Sequence, residues 1–289
     1  MPDLSPEDKA VIYRPNQRQE LSYWEAWAVM VRNIIQSRDL IWQLFKRDFF
    51  ASYKKSFIGV TWVVLTPLVS IFVWIFLKRS GVLQPGDVGV PYPVYVLIGS
   101  SVWGLFMGFY TSAAHTLTDG QHLVLQVNYP HEVFLFEKSL LQVVNFFIAF
   151  ALNLLVLYFA GIAPSPNILF FPIVLLPLFF LGAGLGLVVS MISVVAFDIE
   201  KMISTLMGLL IWSVPVIYSD AVKSPLAQCI IQWNPLTYLV CSARDVILYG
   251  RLYHPLAYFA SAGLAFLAFF VSWRLFYVSE GELVERIHT

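Results

Sequence analysis

Residues 139–197 read SLLQVVNFFIAFALNLLVLYFAGIAPSPNILFFPIVLLPLFFLGAGLGLVVSMISVVAF, 59 residues without one Asp, Glu, Lys or Arg. No water-soluble domain buries so long an uninterrupted apolar run. A bilayer accommodates it, because one helix needs about 20 apolar residues to cross roughly 30 Å of hydrocarbon. The run therefore holds two crossings, hinged at Pro164-Ser165-Pro166-Asn167. The chain reads as an integral membrane protein.

Composition points the same way. The chain is 58% hydrophobic and 12% charged, with a mean hydropathy of +0.72, against about 25% charged in average soluble proteins. Net charge is zero, so no bulk positive field favours nucleic acid. Cys229 and Cys241 are too few for a disulfide framework or a metal cluster and read as two buried thiols. The first 55 residues show no cleavable signal, since no apolar core follows a basic start.

Working outward, the expected fold is all-α with six transmembrane helices: Phe57–Leu77, Pro93–Ala114, Ser139–Ile162, Ile168–Phe197, Met202–Tyr218 and Pro255–Trp273. Pro172, Pro177 and the Gly182–Gly186 cluster predict that the fourth is kinked or tilted, with close neighbours. Leu226–Ala243 is free of charge, but Gln228, Gln232 and Asn234-Pro235 interrupt it. Pro235 disfavours helix at Asn234. Two short re-entrant helices on the outer face fit better than a seventh crossing. Nine Lys and Arg precede the first span, and only Lys78 and Arg79 follow it closely, which predicts cytoplasmic termini.

The organisation expected is an interfacial region (1–55), a six-span domain (56–278) and a short cytoplasmic tail (279–289). In the first, Trp24, Trp27, Ala28, Val31, Ile34 and Ile35, then Ile41, Leu44, Phe45 and Phe49, recur at helical spacing. Arg32, Arg38, Lys46 and Arg47 fall on the opposite face. Such amphipathic helices lie in the headgroup plane.

No span carries an Asp, Glu, Lys or Arg in its interior, which argues against ion-coupled carriage. There is no G-x-x-x-x-G-K-[ST] loop to cradle ATP phosphates. No catalytic constellation and no metal-ligand spacing appears, the five His being scattered. What remains is a transport subunit driven from elsewhere, through the cytoplasmic segments His115–Lys138 and Asp198–Lys201.

Four stretches resemble the membrane permeases of type-2 ABC exporters, specifically those exporting lipid-linked polysaccharides. They are Lys46-Arg47-Asp48 with Tyr53–Trp62 and Leu65-Thr66-Pro67-Leu68; Val127–Glu132; Ser213–Tyr218; and Asn234-Pro235-Leu236 with Ala243-Arg244-Asp245. The chain departs where Ala196-Phe197 precede Asp198 and Gln126-Val127-Asn128 precede Tyr129, places where the family often has basic residues.

The resemblance implies a homodimer in the bacterial inner membrane with two separate ATP-binding cassette subunits. ATP and Mg would sit on those subunits, with no cofactor or metal in this chain. The substrate implied is an O-antigen, teichoic-acid or capsular chain, which would place the protein in lipopolysaccharide biosynthesis in the first case. Leu117, Asp119, Leu123, Tyr129, Pro130, Glu132, Asp198, Ile199, Glu200 and Lys201 are the expected ATPase-coupling residues. A sugar path wants aromatic faces, for which Trp62, Phe72, Trp74, Trp103, Phe106, Tyr110 and Trp212 are the candidates. Lys46, Arg47, Lys54 and Lys55 have the charge and depth to capture a lipid pyrophosphate. Two other readings stay open: a membrane-embedded enzyme on polyprenyl-linked sugars, drawing on Asp48, Asp119, Glu132 and Asp198, and an ABC permease for a drug or lipid.

Overall fold

A computed structural model of the chain describes residues 23–54, 61–118 and 132–287. The described residues are helical, with no strand among them. Among the described residues, four segments are long and apolar enough to cross a membrane: Tyr92–Ala114, Glu132–Phe159, Pro166–Val195 and Pro255–Ser279. This is an all-α membrane protein.

Two helices precede the bundle, α1 (Tyr23–Gln36) and α2 (Arg38–Lys54). Helix α1 docks on protein as well as presenting a greasy face outward. Ala26 and Met30 are fully buried, and the Trp27 ring lies 4.5 Å from Phe270 and 5.0 Å from Trp273. Val31 and Ile35, expected on the same apolar face, are exposed. The buried stripe is rotated because α1 meets a neighbouring helix there. Helix α2 buries Leu44 beside Val133 and Phe134, and buries Phe45 as well, leaving Trp42 and Phe50 exposed.

Helix α3 (Thr61–Arg79) is followed by α4 (Tyr92–Ala114), α5 (Glu132–Phe159) and α6 (Phe171–Val195). The fifth helix starts seven residues before the apolar run, so Glu132 and Glu137 lie inside it, both buried. A 3₁₀ turn, Pro166–Phe170, leads into α6. Pro172 sits at its first turn, where a missing N–H costs nothing, and only Pro177 is internal. The glycines of α6 mark close approach, as expected of the cluster. A Cβ on Gly186 would lie 2.4 Å from the Tyr110 carbonyl, and one on Gly184 would lie 3.0 Å from the Phe269 backbone. Helix α6 is thus clamped between α4 and the last helix, α10 (Pro255–Ile287).

The turn from α6 into α7 (Phe197–Leu209) is made at Ala196 alone (φ −150°, ψ 89°), and Asp198–Lys201 form the first turn of α7 rather than a loop. A 3₁₀ segment, Leu210–Ser213, extends α7, and the backbone then leaves helix at Val214 (ψ 134°), before Pro215. The fifth span expected through Tyr218 therefore ends in buried irregular chain. Two short helices follow, α8 (Pro225–Trp233) and α9 (Pro235–Leu248), separated at Asn234, whose side chain accepts from the Leu236 N–H at 3.0 Å. Neither is long enough to cross. Cys241 is buried in α9, whereas Cys229 on α8 is exposed, contrary to the expectation of two buried thiols.

The helices define two ends. One gathers residues 80–91, 160–167, 214–224 and the α8–α9 pair. There the Ser219 N–H donates to Pro85 O at 2.7 Å, and the Ser165 N–H to Ile247 O at 3.0 Å. Asn167 Nδ2 donates to Gly250 O at 2.6 Å. The other end holds His115 and the start of α7.

Candidate functional site

At the His115 end, His115 Nε2 stands 4.0 Å from Glu200 Oε1. Glu200 is buried and accepts from Ser204 Oγ at 2.9 Å, and Ser204 in turn pairs with the Tyr110 hydroxyl at 3.0 Å. This chain of contacts ties the last turns of α4 to the first turns of α7. Leu117 is fully buried, and its N–H donates to Ser190 Oγ at 3.3 Å. Glu132 is buried as well. Asp198, Ile199 and Lys201 are exposed, with Phe197 and Met202 beside them, and Lys201 lies over the Phe197 ring at 5.0 Å. The surface offered here is apolar with a charged rim. Asp119, Leu123, Tyr129 and Pro130 lie outside the described residues.

The aromatic candidates divide. Trp103, Phe106 and Tyr110 are buried in the helix core. Trp62, Phe72 and Trp212 are exposed, and Trp74 meets Trp212 edge-on with centroids 5.8 Å apart, joining α3 to the end of α7. Beside α3 lies a cleft of ≈250 Å³ between α3, α4 and α5. Thr66, Ser70, Ser100, Ser101, Gln142 and Asn145 line it. Pro67, Leu105, Phe146 and Ala149 line it too, so these hydroxyls and amides are polar, uncharged points on a largely apolar wall, with no charged residue among the described lining. The spacing of Gln142 and Asn145, three apart on α5, was the available signal for it.

The basic candidates sit on α2. Arg47 Nε donates to Asp48 Oδ1 at 2.7 Å, and Lys138 Nζ donates to Asp48 Oδ2 at 2.5 Å. Burial pulls the Asp48 carboxyl up, but the hydrogen bonds from Arg47 and Lys138 outweigh it and hold it below the usual range. Arg47 stays 55% exposed despite this contact. Lys46 lies over the Trp42 ring at 5.2 Å, and Lys54 is exposed. Lys55 lies outside the described residues.

The family model described as ABC-2 type transporter matches residues 39–248. The chain belongs to the ABC-2 type transporter family. It is 25% identical over 226 residues to the O-antigen export system permease protein RfbA of Myxococcus xanthus, covering 77% of this chain and 85% of that protein. Two proteins of the same name from Klebsiella pneumoniae are 22% and 21% identical over 216 residues, each covering 74% of this chain and 82% of the relative. An ABC-2 type transporter is ATP-driven through a separate ATPase, so this chain is a membrane transport subunit and not an enzyme.

This ABC-2 type transporter holds a buried polar assembly whose members lie far apart in the sequence. Arg244 and Asp245 are buried side by side, Arg244 Nε donating to Asp245 Oδ1 at 2.9 Å and Arg244 Nη1 to Pro215 O at 2.8 Å. The guanidinium stacks 4.2 Å from the Tyr95 ring centroid. Tyr95 donates to Pro215 O at 3.0 Å and Tyr218 O at 2.9 Å, and Tyr92 to Ile217 O at 2.9 Å. Irregular backbone buried in a membrane protein must find partners within the protein. Two tyrosines of α4 and one arginine of α9 supply them for the carbonyls of Pro215, Ile217 and Tyr218.

Proposed function

We propose that this chain is the permease subunit of an ATP-driven exporter that moves a lipid-linked polysaccharide of the O-antigen kind out of the cytoplasm across the inner membrane. The observation that carries this is the alignment with proteins named O-antigen export permeases over three quarters of the chain. The uncharged hydroxyl- and amide-lined cleft beside α3 supports it, since such a wall suits a neutral glycan better than an ion. Six crossings follow if α3, 19 residues long, and α7 with its 3₁₀ extension are added to the four apolar segments. Both termini then face the cytoplasm, and the α8–α9 end faces outward. Two copies would pair with two ATPase subunits.

In this reading, Ile199 and the exposed first turn of α7 receive the ATPase together with the segment holding Asp119, Leu123, Tyr129 and Pro130. Trp62, Phe72, Trp74 and Trp212, on outward faces, border the path. Lys46, Arg47, Lys54 and Lys55 receive the lipid pyrophosphate at the cytoplasmic leaflet. The test is a deletion strain. Loss of the gene should abolish surface O-polysaccharide on silver-stained gels and leave lipid-linked polymer inside the cell. An unaltered ladder would overturn the proposal, and accumulation of a drug or phospholipid instead would redirect it to that substrate.

A further inference from the structure

A second cleft, of ≈400 Å³, opens at the α8–α9 end. Its size falls within the range of about 300–1,000 Å³ found for small-molecule sites. Tyr238, Tyr253 and His254 build one wall. Their rings form a corner, Tyr253 meeting His254 edge-on at 4.5 Å and Tyr238 lying 6.1 Å from Tyr253.

The wall is held from behind. Ser242, fully buried, both donates to the Tyr253 carbonyl at 3.2 Å and accepts from its N–H at 3.1 Å. The Tyr238 hydroxyl donates to Gln232 O at 2.7 Å. His254 adopts φ +46°, the left-handed region that non-glycine residues rarely occupy. Its carbonyl accepts from the Tyr258 N–H at 2.9 Å, which fixes it at the start of α10. Strain of this kind persists where surrounding structure over-determines it, and it gathers at ligand sites.

The polar groups are of one character. The Tyr253 hydroxyl donates to Asp220 Oδ2 at 2.5 Å. Burial first, then this hydrogen bond, holds the phenol protonated far above its usual range, so it is a fixed donor. Asp220 keeps acceptor capacity for further hydroxyls. Gln228 spends its Nε2 on Val222 O at 2.7 Å and retains its amide oxygen. Thr237 lines the same cleft at 1% exposure, and its hydroxyl has no hydrogen-bond partner. A buried hydroxyl without a partner costs free energy that a bound ligand can recover. Among the described residues no Lys or Arg lines the cleft, and its one carboxylate is that of Asp220.

We propose that this cleft is a binding subsite for one neutral pyranose unit of a glycan. Ring faces of Tyr238 and Tyr253 pack on the apolar face of the sugar, Asp220 accepts from its hydroxyls, and Thr237 completes its hydrogen bonding. With no Lys or Arg among the described lining residues, phosphate and uronic acid are disfavoured, since their charge would meet Asp220. The inference rests on the export reading only for its meaning, that the outward end handles the polymer it releases.

The test uses the full chain in lipid nanodiscs, probed by saturation-transfer NMR with the methyl glycosides of glucose, galactose, mannose and rhamnose, and with methyl glucuronide. At least one neutral glycoside should show transfer, falling about fivefold or more in Tyr238→Ala and in the isosteric Asp220→Asn. The glucuronide should give a weaker signal. No transfer from any neutral glycoside, transfer unchanged in both variants, or a glucuronide bound as well as the neutral sugars would overturn the proposal. Export is read separately in cells. Normal export without glycoside binding refutes the cleft alone, and glycoside binding with a normal polysaccharide ladder in the deletion strain refutes the proposed function alone.

Discussion

Asp48 joins Arg47 on its own helix to Lys138 on α5, and its depressed carboxyl makes that junction sensitive to acid. A group whose folded-state value lies below its unfolded value of about 3.8 stabilises above that value and loses its contribution as pH falls through the lower one. The environment of Trp42 on α2 should therefore change as pH falls below about 4. Fluorescence titration checks this, and Asp48→Asn should remove that transition; an identical acid curve in the variant would disprove it. Gly186 gives a steric counterpart. Gly186→Ala drives a methyl against the Tyr110 carbonyl, while at Gly263 nothing lies within 4 Å. The first should lower stability in detergent by about 1–3 kcal/mol, and Gly263→Ala should leave it unchanged or slightly raised. Arg244→Met leaves Asp245 buried without its partner, at an expected cost of about 3–5 kcal/mol. The double variant Arg244→Met/Asp245→Leu should recover part of that loss, and thermal unfolding measures both.

Between elements, the decisive arrangement is the α8–α9 pair. Asn234 Nδ2 donates to Ser213 Oγ at 2.9 Å at one end of α9, and the Ser165 N–H bonds to Ile247 O near the other. With both its ends tied to the same end of the bundle, α9 cannot be a crossing. An impermeant maleimide applied to intact spheroplasts should label Cys229, which is exposed, and spare buried Cys241 until the protein is denatured. Reporters fused after Lys223 and after Arg251 should both read as extracytoplasmic. Opposite sides for the two fusions would require a seventh span. Asn234-Pro235 announced the break in the sequence, because proline constrains the residue before it. The depth of α9 was not announced. Its burial depends on α4, α6 and α10 making room for it.

For the whole molecule, drive and path lie on different chains. Purified alone in liposomes, this subunit should hydrolyse no ATP, and measurable turnover would contradict the separate-ATPase reading. Ile199→Cys should crosslink to the co-purified ATPase and resist impermeant reagents added outside intact cells. Labelling from outside would reverse the orientation. Loss of export in a correctly inserted Arg47→Gln/Lys54→Gln variant would support pyrophosphate capture, and wild-type export would leave these residues an orienting role only.

The sequence by itself determined that this is a membrane protein and that its central apolar run is long enough for two crossings. Charge is costly in hydrocarbon and each crossing has a minimum length, so Ser139–Phe197 announced two spans without any knowledge of contacts. Only the tertiary structure decided which face of each helix meets protein. Phe72 is 70% exposed and Phe106 is 0% exposed, yet both are phenylalanines in apolar runs. Lipid tails are as apolar as a packed leucine, so burial leaves little trace in residue type. The same physics hid both clefts. Gln142 and Asn145 share a cleft with Thr66 and Ser70 because α3 and α5, far apart in the chain, converge, and Tyr238 faces Tyr253 because the chain doubles back after α9.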